Sequence, residues 1–168
     1  MRYHNITKDD MLNGDGLRAV LWVAGCGHAC PGCHNPVTWD AKGGLAFDDA
    51  AKAELFDELK KDYISGVTLS GGDPLFQGNR DDILSLCREL RQRFPDKTIW
   101  LYTGYEWEDV CDLPVMRLVD VVVDGPYIEA MRDTKLLWRG SENQRVIDVP
   151  GTFALGQIVL RPEPDYSI

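Results

Sequence analysis

Short apolar runs alternate with amphipathic segments along this chain, and this alternation restricts the possible folds more than any other feature. Apolar runs bounded by glycine or polar residues predict strands at 18–25, 66–72, 97–105 and 117–127, with weaker candidates at 145–149 and 156–161. Apolar residues at helical spacing predict helices over 48–63, 80–94 and 106–113. Asp48 is the expected N-cap of the first helix.

Strands that alternate with helices predict a mostly parallel sheet whose strands are joined by crossover helices. The chain has 168 residues, whereas a complete eight-fold barrel typically needs about 250. We therefore predict an α/β fold, a partial (β/α) barrel of about five or six units, within a single domain, 1–168.

Polar or glycine-rich loops follow four of the predicted strands. Their sequences are GCGHACPGCHN (25–35), SGGDP (70–74), YTGY (102–105) and DGPY (124–127). The carboxyl ends of parallel strands line the ligand sites of such sheets. We therefore expect the four loops to surround one pocket.

Charge and hydropathy exclude several classes of function. The chain has 27 acidic and 18 basic residues, a net charge of −9, which argues against tight generic binding to nucleic acid. No run approaches the ~18 apolar residues of a membrane helix, and the first twenty residues have no apolar core typical of a signal peptide. A cytoplasmic protein without membrane contact is the expectation.

Three of the five cysteines, Cys26, Cys30 and Cys33, lie at C-x3-C-x2-C spacing, which suits one compact soft-metal site. One assignment is a four-iron, four-sulfur cluster with three protein ligands, which leaves one iron open. The other is a structural zinc with His28 or His34 as the fourth ligand. The spacing favours the cluster, because zinc sites usually combine two separate cysteine pairs and the chain contains one group. Cys87 and Cys111 are predicted to be structural.

The cysteine motif after a strand resembles the signature of the radical S-adenosylmethionine superfamily. Further segments resemble, within it, the activating components of anaerobic ribonucleotide reductase: NGDGLRAVLWVAGCGHACPGCHNPVTWD (13–40), TLSGGDPL (68–75), YTGY (102–105), VVVDGPY (121–127) and RGSENQRVID (139–148). The resemblance extends over nearly the whole chain and implies a barrel of the radical S-adenosylmethionine type.

The resemblance implies an oxidoreductase with one 4Fe-4S cluster, held by Cys26, Cys30 and Cys33, whose fourth iron binds S-adenosylmethionine. An electron from a donor such as flavodoxin would cleave this compound to a 5′-deoxyadenosyl radical. The radical would take a hydrogen atom from a glycine of the large subunit of the anaerobic reductase. No side chain is predicted to be catalytic, because the cofactors carry the radical chemistry.

The other loops supply the candidate contacts to S-adenosylmethionine: Gly71, Gly72, Asp73, Thr103, Asp124 and, after the third cysteine, His34. Each loop is also compatible with an ordinary turn. Two positions depart from the superfamily pattern. His34 stands where an aromatic residue is common, so it could stack on adenine or bind a metal, and Asp73 stands where glutamate is common.

Two alternatives to this function stay open: another small radical enzyme, such as a formate-lyase-type activase, or a zinc-stabilised binding module. The segment 127–148 has little periodicity and could either dock the reductase or form a solvated loop. The short chain has no extension that would cover a small substrate, which favours a glycine loop arriving from a large protein.

Overall fold

A single sheet of seven strands organises the computed structural model, which describes residues 1–165. The strands are β1 (Arg2–Asp10), β2 (Arg18–Val23), β3 (Leu45–Ala46), β4 (Gly66–Gly71), β5 (Thr98–Tyr102), β6 (Val121–Asp124) and β7 (Arg145–Asp148). Their order in the sheet is β3-β1-β2-β4-β5-β6-β7.

The centre of the sheet is parallel and its margins are antiparallel. β2, β4, β5 and β6 pair in parallel, whereas β1, β3 and β7 join by antiparallel pairing. The α/β class is confirmed, but a mostly parallel sheet describes only these central strands. The described residues contain three parallel crossovers rather than five or six units, and the partial barrel stays a prediction.

The helices that link the parallel strands begin close to where the sequence predicts them. They are α1 (Asp49–Leu59), α2 (Arg80–Arg93) and α3 (Trp107–Val110), and a fourth, α4 (Val149–Leu155), follows β7. The carboxylate of Asp48 accepts a hydrogen bond from the amide of Ala51, so the predicted N-cap of α1 is confirmed. No described helix combines the length and hydrophobicity that a membrane span requires.

The elements of the structure differ from the predicted ones in several places. β1 was not predicted, because Ile6 is the only buried residue of the strand and the other residues form no apolar run. The strand predicted at 156–161 is reduced to one bridge between Ile147 and Leu160. Gly156 instead ends α4 in a left-handed conformation, with φ of 71°.

Successive residues of the parallel strands face opposite sides of the sheet. One side packs against the helices and contains the larger apolar core, to which β5 contributes Ile99 and Leu101. The other side carries a smaller cluster in which Trp100 packs edge-on against Trp138, with ring centroids 4.9 Å apart. This second side, the cavity face, also carries the functional site described below.

Candidate functional site

A cavity of about 510 Å³ is lined by residues that directly follow β2, β4, β5 and β6. The cysteine loop after β2 contributes all three cysteines of the motif, and the other three strand ends contribute glycines and polar residues. The predicted convergence of the four loops on one pocket is therefore found in the structure. The segment 132–140 forms a further wall.

Hydrogen bonds close the cysteine loop at its base. The amide of Gly25 donates to the carbonyl of Thr38 (2.8 Å), and the amide of Cys26 donates to the carbonyl of Trp39 (3.1 Å). Both acceptors lie in the short 3-10 helix Pro36–Trp39. The loop therefore leaves β2 and returns to the same point, which holds its cysteines over the cavity.

The three motif cysteines are free thiols of intermediate exposure that line this one cavity. Burial raises the pKa of the Cys26 thiol, and the negative charge of Asp73 raises it further, although a hydrogen bond from the backbone of His28 acts in the opposite direction. The sulfur of Cys33 accepts a hydrogen bond from the amide of Asn35 (3.4 Å).

These donors fit an iron–sulfur cluster, in which each thiolate takes a different iron. No group of three or more His, Cys, Asp and Glu side chains within residues 1–165 is arranged to hold a metal ion. The three sulfurs nevertheless line one cavity of about 510 Å³, and cysteine sulfurs are the usual protein ligands of iron–sulfur clusters.

Gly71 and Gly72 bring the end of β4 against the cysteine loop. A Cβ on Gly72 would lie 2.5 Å from the carbonyl oxygen of Gly25, and Gly71 has a φ of +108° that L side chains rarely adopt. The amide of Gly72 donates to the carbonyl of Val23 (2.8 Å). Both glycines line the cavity, where the ligand contact is predicted. The close packing is a second, structural reason for glycine at these two positions.

Asp73 lines the cavity, yet it is only 1% exposed, and both oxygens of its carboxylate accept hydrogen bonds from this chain. One oxygen accepts from the amide of Leu75 (2.8 Å). The other oxygen accepts from Nε2 of His28 (2.6 Å), from the hydroxyl of Thr103 (3.0 Å) and from the amide of Gly104 (2.9 Å). The carboxylate thus connects the cysteine loop to the ends of both β4 and β5.

The structure does not bring Asp124 to the cavity. It shares the helix-packed side of the sheet with Val122, because two residues separate side chains that face the same way. Its carboxylate accepts from the amide of Trp107 (2.8 Å) and from the guanidinium of Arg145 (2.6 Å). We therefore correct the expected ligand contact: Asp124 joins α3, β6 and β7.

The two histidines of the cysteine loop lie in different environments. His34 lines the cavity, and its ring lies 5.0 Å from the ring of Tyr127. His28 also lines the cavity, but its Nε2 is bound to Asp73, which leaves only Nδ1 for the zinc site considered from the sequence. Because a histidine that binds a metal through one ring nitrogen often donates the other to a carboxylate, this hydrogen bond is compatible with both the zinc and the cluster assignments.

Several lining residues were not anticipated. Met11 and Leu12 are 71% and 79% exposed and lie at the cavity, and two adjacent large apolar residues within DDMLNGDG were the signal available in the sequence. Trp22 and Tyr102 also line the cavity. Strand alternation could have placed them on the cavity face.

The class of this protein follows from a match to a known family. Residues 12–147 match the family model described as a 4Fe-4S single cluster domain. The fold and the cysteine cavity thus define an α/β protein with an iron–sulfur cluster domain.

Three relatives share the name anaerobic ribonucleoside-triphosphate reductase-activating protein. The protein of Enterobacteria phage T4 is 49% identical over 146 residues, covering 87% of this chain and 93% of the relative. That of Escherichia coli strain K12 is 41% identical over 150 residues, covering 87% and 97%. That of Vibrio cholerae serotype O1 is 38% identical over 148 residues, covering 86% and 96%. The chain belongs to the family of anaerobic ribonucleoside-triphosphate reductase-activating proteins, as its resemblance predicted.

Proposed function

We propose that this chain activates an anaerobic ribonucleoside-triphosphate reductase by forming a glycyl radical on its large subunit. The observation that carries the proposal is that Cys26, Cys30 and Cys33 open into the same cavity as the ends of β4 and β5. When bound, a 4Fe-4S cluster and S-adenosylmethionine would supply one-electron cleavage to methionine and a 5′-deoxyadenosyl radical, which takes a hydrogen atom from glycine.

The residues of the chain hold and enclose the cofactors. Cys26, Cys30 and Cys33 would each hold one iron of the cluster, which would leave one iron without a protein ligand for S-adenosylmethionine. The backbone of Gly71 and Gly72, the hydroxyl of Thr103 and the ring of His34 are the proposed contacts to this compound, and all four residues line the cavity. The wall 132–140 lines the cavity and would help to exclude water from the reacting atoms.

The same proposal includes a protein partner, an electron donor and a cellular compartment. A glycine on a loop of the large reductase subunit enters the cavity, and a one-electron donor such as flavodoxin supplies the electron. A reducing cytoplasm suits the five cysteines, all of which are free thiols. The proposal also retains the predicted partial barrel, in which the sheet would curve around the cofactors.

Alanine substitution of each motif cysteine tests the proposal. The reduced protein, S-adenosylmethionine and the candidate reductase are mixed without oxygen, and the glycyl doublet is measured by electron paramagnetic resonance. Parent protein should produce the doublet, and Cys26→Ala, Cys30→Ala and Cys33→Ala should produce none, because each removes one iron ligand. Cys111→Ser is the matched control, since Cys111 lies outside the cavity lining, and it should retain the doublet.

The outcomes separate the candidate functions. A doublet from Cys30→Ala would show that the proposed ligands are wrong. A doublet only with a formate-lyase-type partner would assign the chain to that class of activase. Colourless protein that binds zinc, and no iron after anaerobic reconstitution, would favour the binding module.

A further inference from the structure

His28 is held at two sides by residues outside its own loop. Its Nε2 lies 2.6 Å from the carboxylate of Asp73, and its ring packs edge-on against Tyr105 with the centroids 4.6 Å apart. The guanidinium of Arg80 lies 5.4 Å from the centroid of the same tyrosine ring. Asp73 also accepts from Thr103 and Gly104, so one buried carboxylate links three strand ends.

Gly104 lies so close to the His28 ring that no side chain fits at this position. A Cβ at this position would lie 2.5 Å from Cδ2 of His28, and the three nearest atoms all belong to the His28 ring. Gly104 is not among the glycines with a positive φ, so its own backbone would tolerate alanine. The steric restriction at this position therefore comes from His28.

We propose that His28 is a positioning residue that, through Asp73, fixes the cysteine loop relative to the S-adenosylmethionine side of the cavity. This inference rests on the proposed function. His28 lies between Cys26 and Cys30, whereas Asp73 follows β4 and Thr103 and Gly104 follow β5. The hydrogen bond from His28 to Asp73 therefore joins the cluster-binding loop to the strand ends opposite it.

Asp73 then serves as the acceptor that holds His28, rather than as a direct partner of the methionine ammonium. Both of its oxygens already accept hydrogen bonds from the chain, and an aspartate reaches less far than the glutamate common at this position. The methionine ammonium would instead donate hydrogen bonds to the backbone carbonyls around Gly71 and Gly72.

Substitution of His28 tests the inference by two measurements that need no turnover. The first is the rate at which reconstituted protein loses iron to a chelator. The second is the change that S-adenosylmethionine causes in the electron paramagnetic resonance signal of the reduced cluster. His28→Ala should lose iron about 10-fold faster, as expected when a partner that orients metal ligands is removed, and should show a weakened response to S-adenosylmethionine.

His28→Gln and His4→Ala are the matched controls. The amide of glutamine can donate to Asp73 from nearly the position of Nε2, so His28→Gln should retain both properties. His4 lies on β1 outside the cavity lining, and its Nε2 has no hydrogen-bond partner within residues 1–165. His4→Ala should therefore lose iron at the rate of the parent.

Gly104→Ala tests the contact from the other side. In the parent it should displace His28 and accelerate iron loss, whereas in His28→Ala it should add little, because the obstructing ring is gone. Equal iron loss in His28→Ala and parent, a His28→Gln protein no better than His28→Ala, or additive effects of the two alanine substitutions would overturn the inference. Parent protein that binds the cluster but forms no glycyl radical would contradict the proposed function, and the iron-loss series would still decide the role of His28.

Discussion

At the scale of single residues, the five cysteines differ in their surroundings rather than in their chemistry. Cys26, Cys30 and Cys33 are partly exposed at the cavity. Cys87 is completely buried on the core-facing side of α2, and Cys111 is partly exposed where α3 ends. Because a thiolate is the reactive form of cysteine, these surroundings determine which sulfurs can react.

Alkylation should distinguish Cys87 from Cys111 in the native protein. Burial raises the pKa of the Cys87 thiol to about 12, so the thiol stays protonated at neutral and mildly alkaline pH. We expect iodoacetamide at about pH 8 to modify Cys111 and to leave Cys87 unmodified until the protein is denatured, as measured by peptide mass spectrometry. Modification of native Cys87 at the rate of Cys111 would contradict the burial.

Asp73 and Asp124 show that residues with similar sequence contexts can lie in different places in the structure. Both follow apolar strands in glycine-containing turns, so the sequence gives them the same expected role. The structure brings only Asp73 to the cavity, because Asp124 lies on the helix-packed side with Val122. Counting alternate residues along β6 would have found this difference. The pairing of His28 with Asp73 joins distant parts of the chain, and no local pattern predicts it.

At the scale of elements, strands with continuous apolar runs were predictable and the margins of the sheet were not. β2, β4, β5 and β6 are buried over most of their length, so hydrophobicity alone identifies them. β1 is mostly half-buried or exposed. It forms a strand because β2 and β3 pair with it. Such pairing does not require an apolar run, so the sequence carries no signal for this strand.

The structural role of Asp124 predicts a variant that affects stability and not ligand binding. Asp124 is 1% exposed and pairs with Arg145, which is about one-third exposed. Asp124→Asn should reduce the free energy of unfolding by about 1–3 kcal/mol, a value discounted for solvent around Arg145, as measured by urea denaturation. Affinity for S-adenosylmethionine, measured by anaerobic calorimetry, should not change.

Glu108→Gln is the control, because Glu108 is the exposed partner of the same arginine. Its loss should cost about 0.5 kcal/mol or less. A large decrease in affinity for S-adenosylmethionine in Asp124→Asn, without a loss of stability, would return Asp124 to the ligand site that the sequence predicted.

At the scale of the whole molecule, polar networks hold the parallel strands at both ends. The Asp73 network lies at the carboxyl ends, beside the cavity. Arg18, which is 0% exposed, lies at the amino ends. Each of its five N–H groups donates a hydrogen bond, to the hydroxyls of Thr68 and Thr98 and to the carbonyls of Asp15, Val67 and Thr98. The reactive end of the sheet therefore projects from strands that are fixed at the opposite end.

Removal of the Arg18 guanidinium should destabilise the sheet as a unit. Arg18→Met leaves buried acceptors on β4 and β5 without donors, so the free energy of unfolding should fall by about 2–4 kcal/mol in urea denaturation. The exposed Arg88→Met substitution on α2 should change it by less than about 0.5 kcal/mol.

Burial lowers the pKa of Arg18 to about 10, so the residue stays charged in the folded protein at neutral pH. Proton release would favour the folded state only as the pH rises above that value, since the unfolded group binds its proton more tightly. The difference between parent and Arg18→Met should therefore be constant between about pH 6 and about pH 8, and a difference below about 1 kcal/mol would show that the network does not hold the strands together.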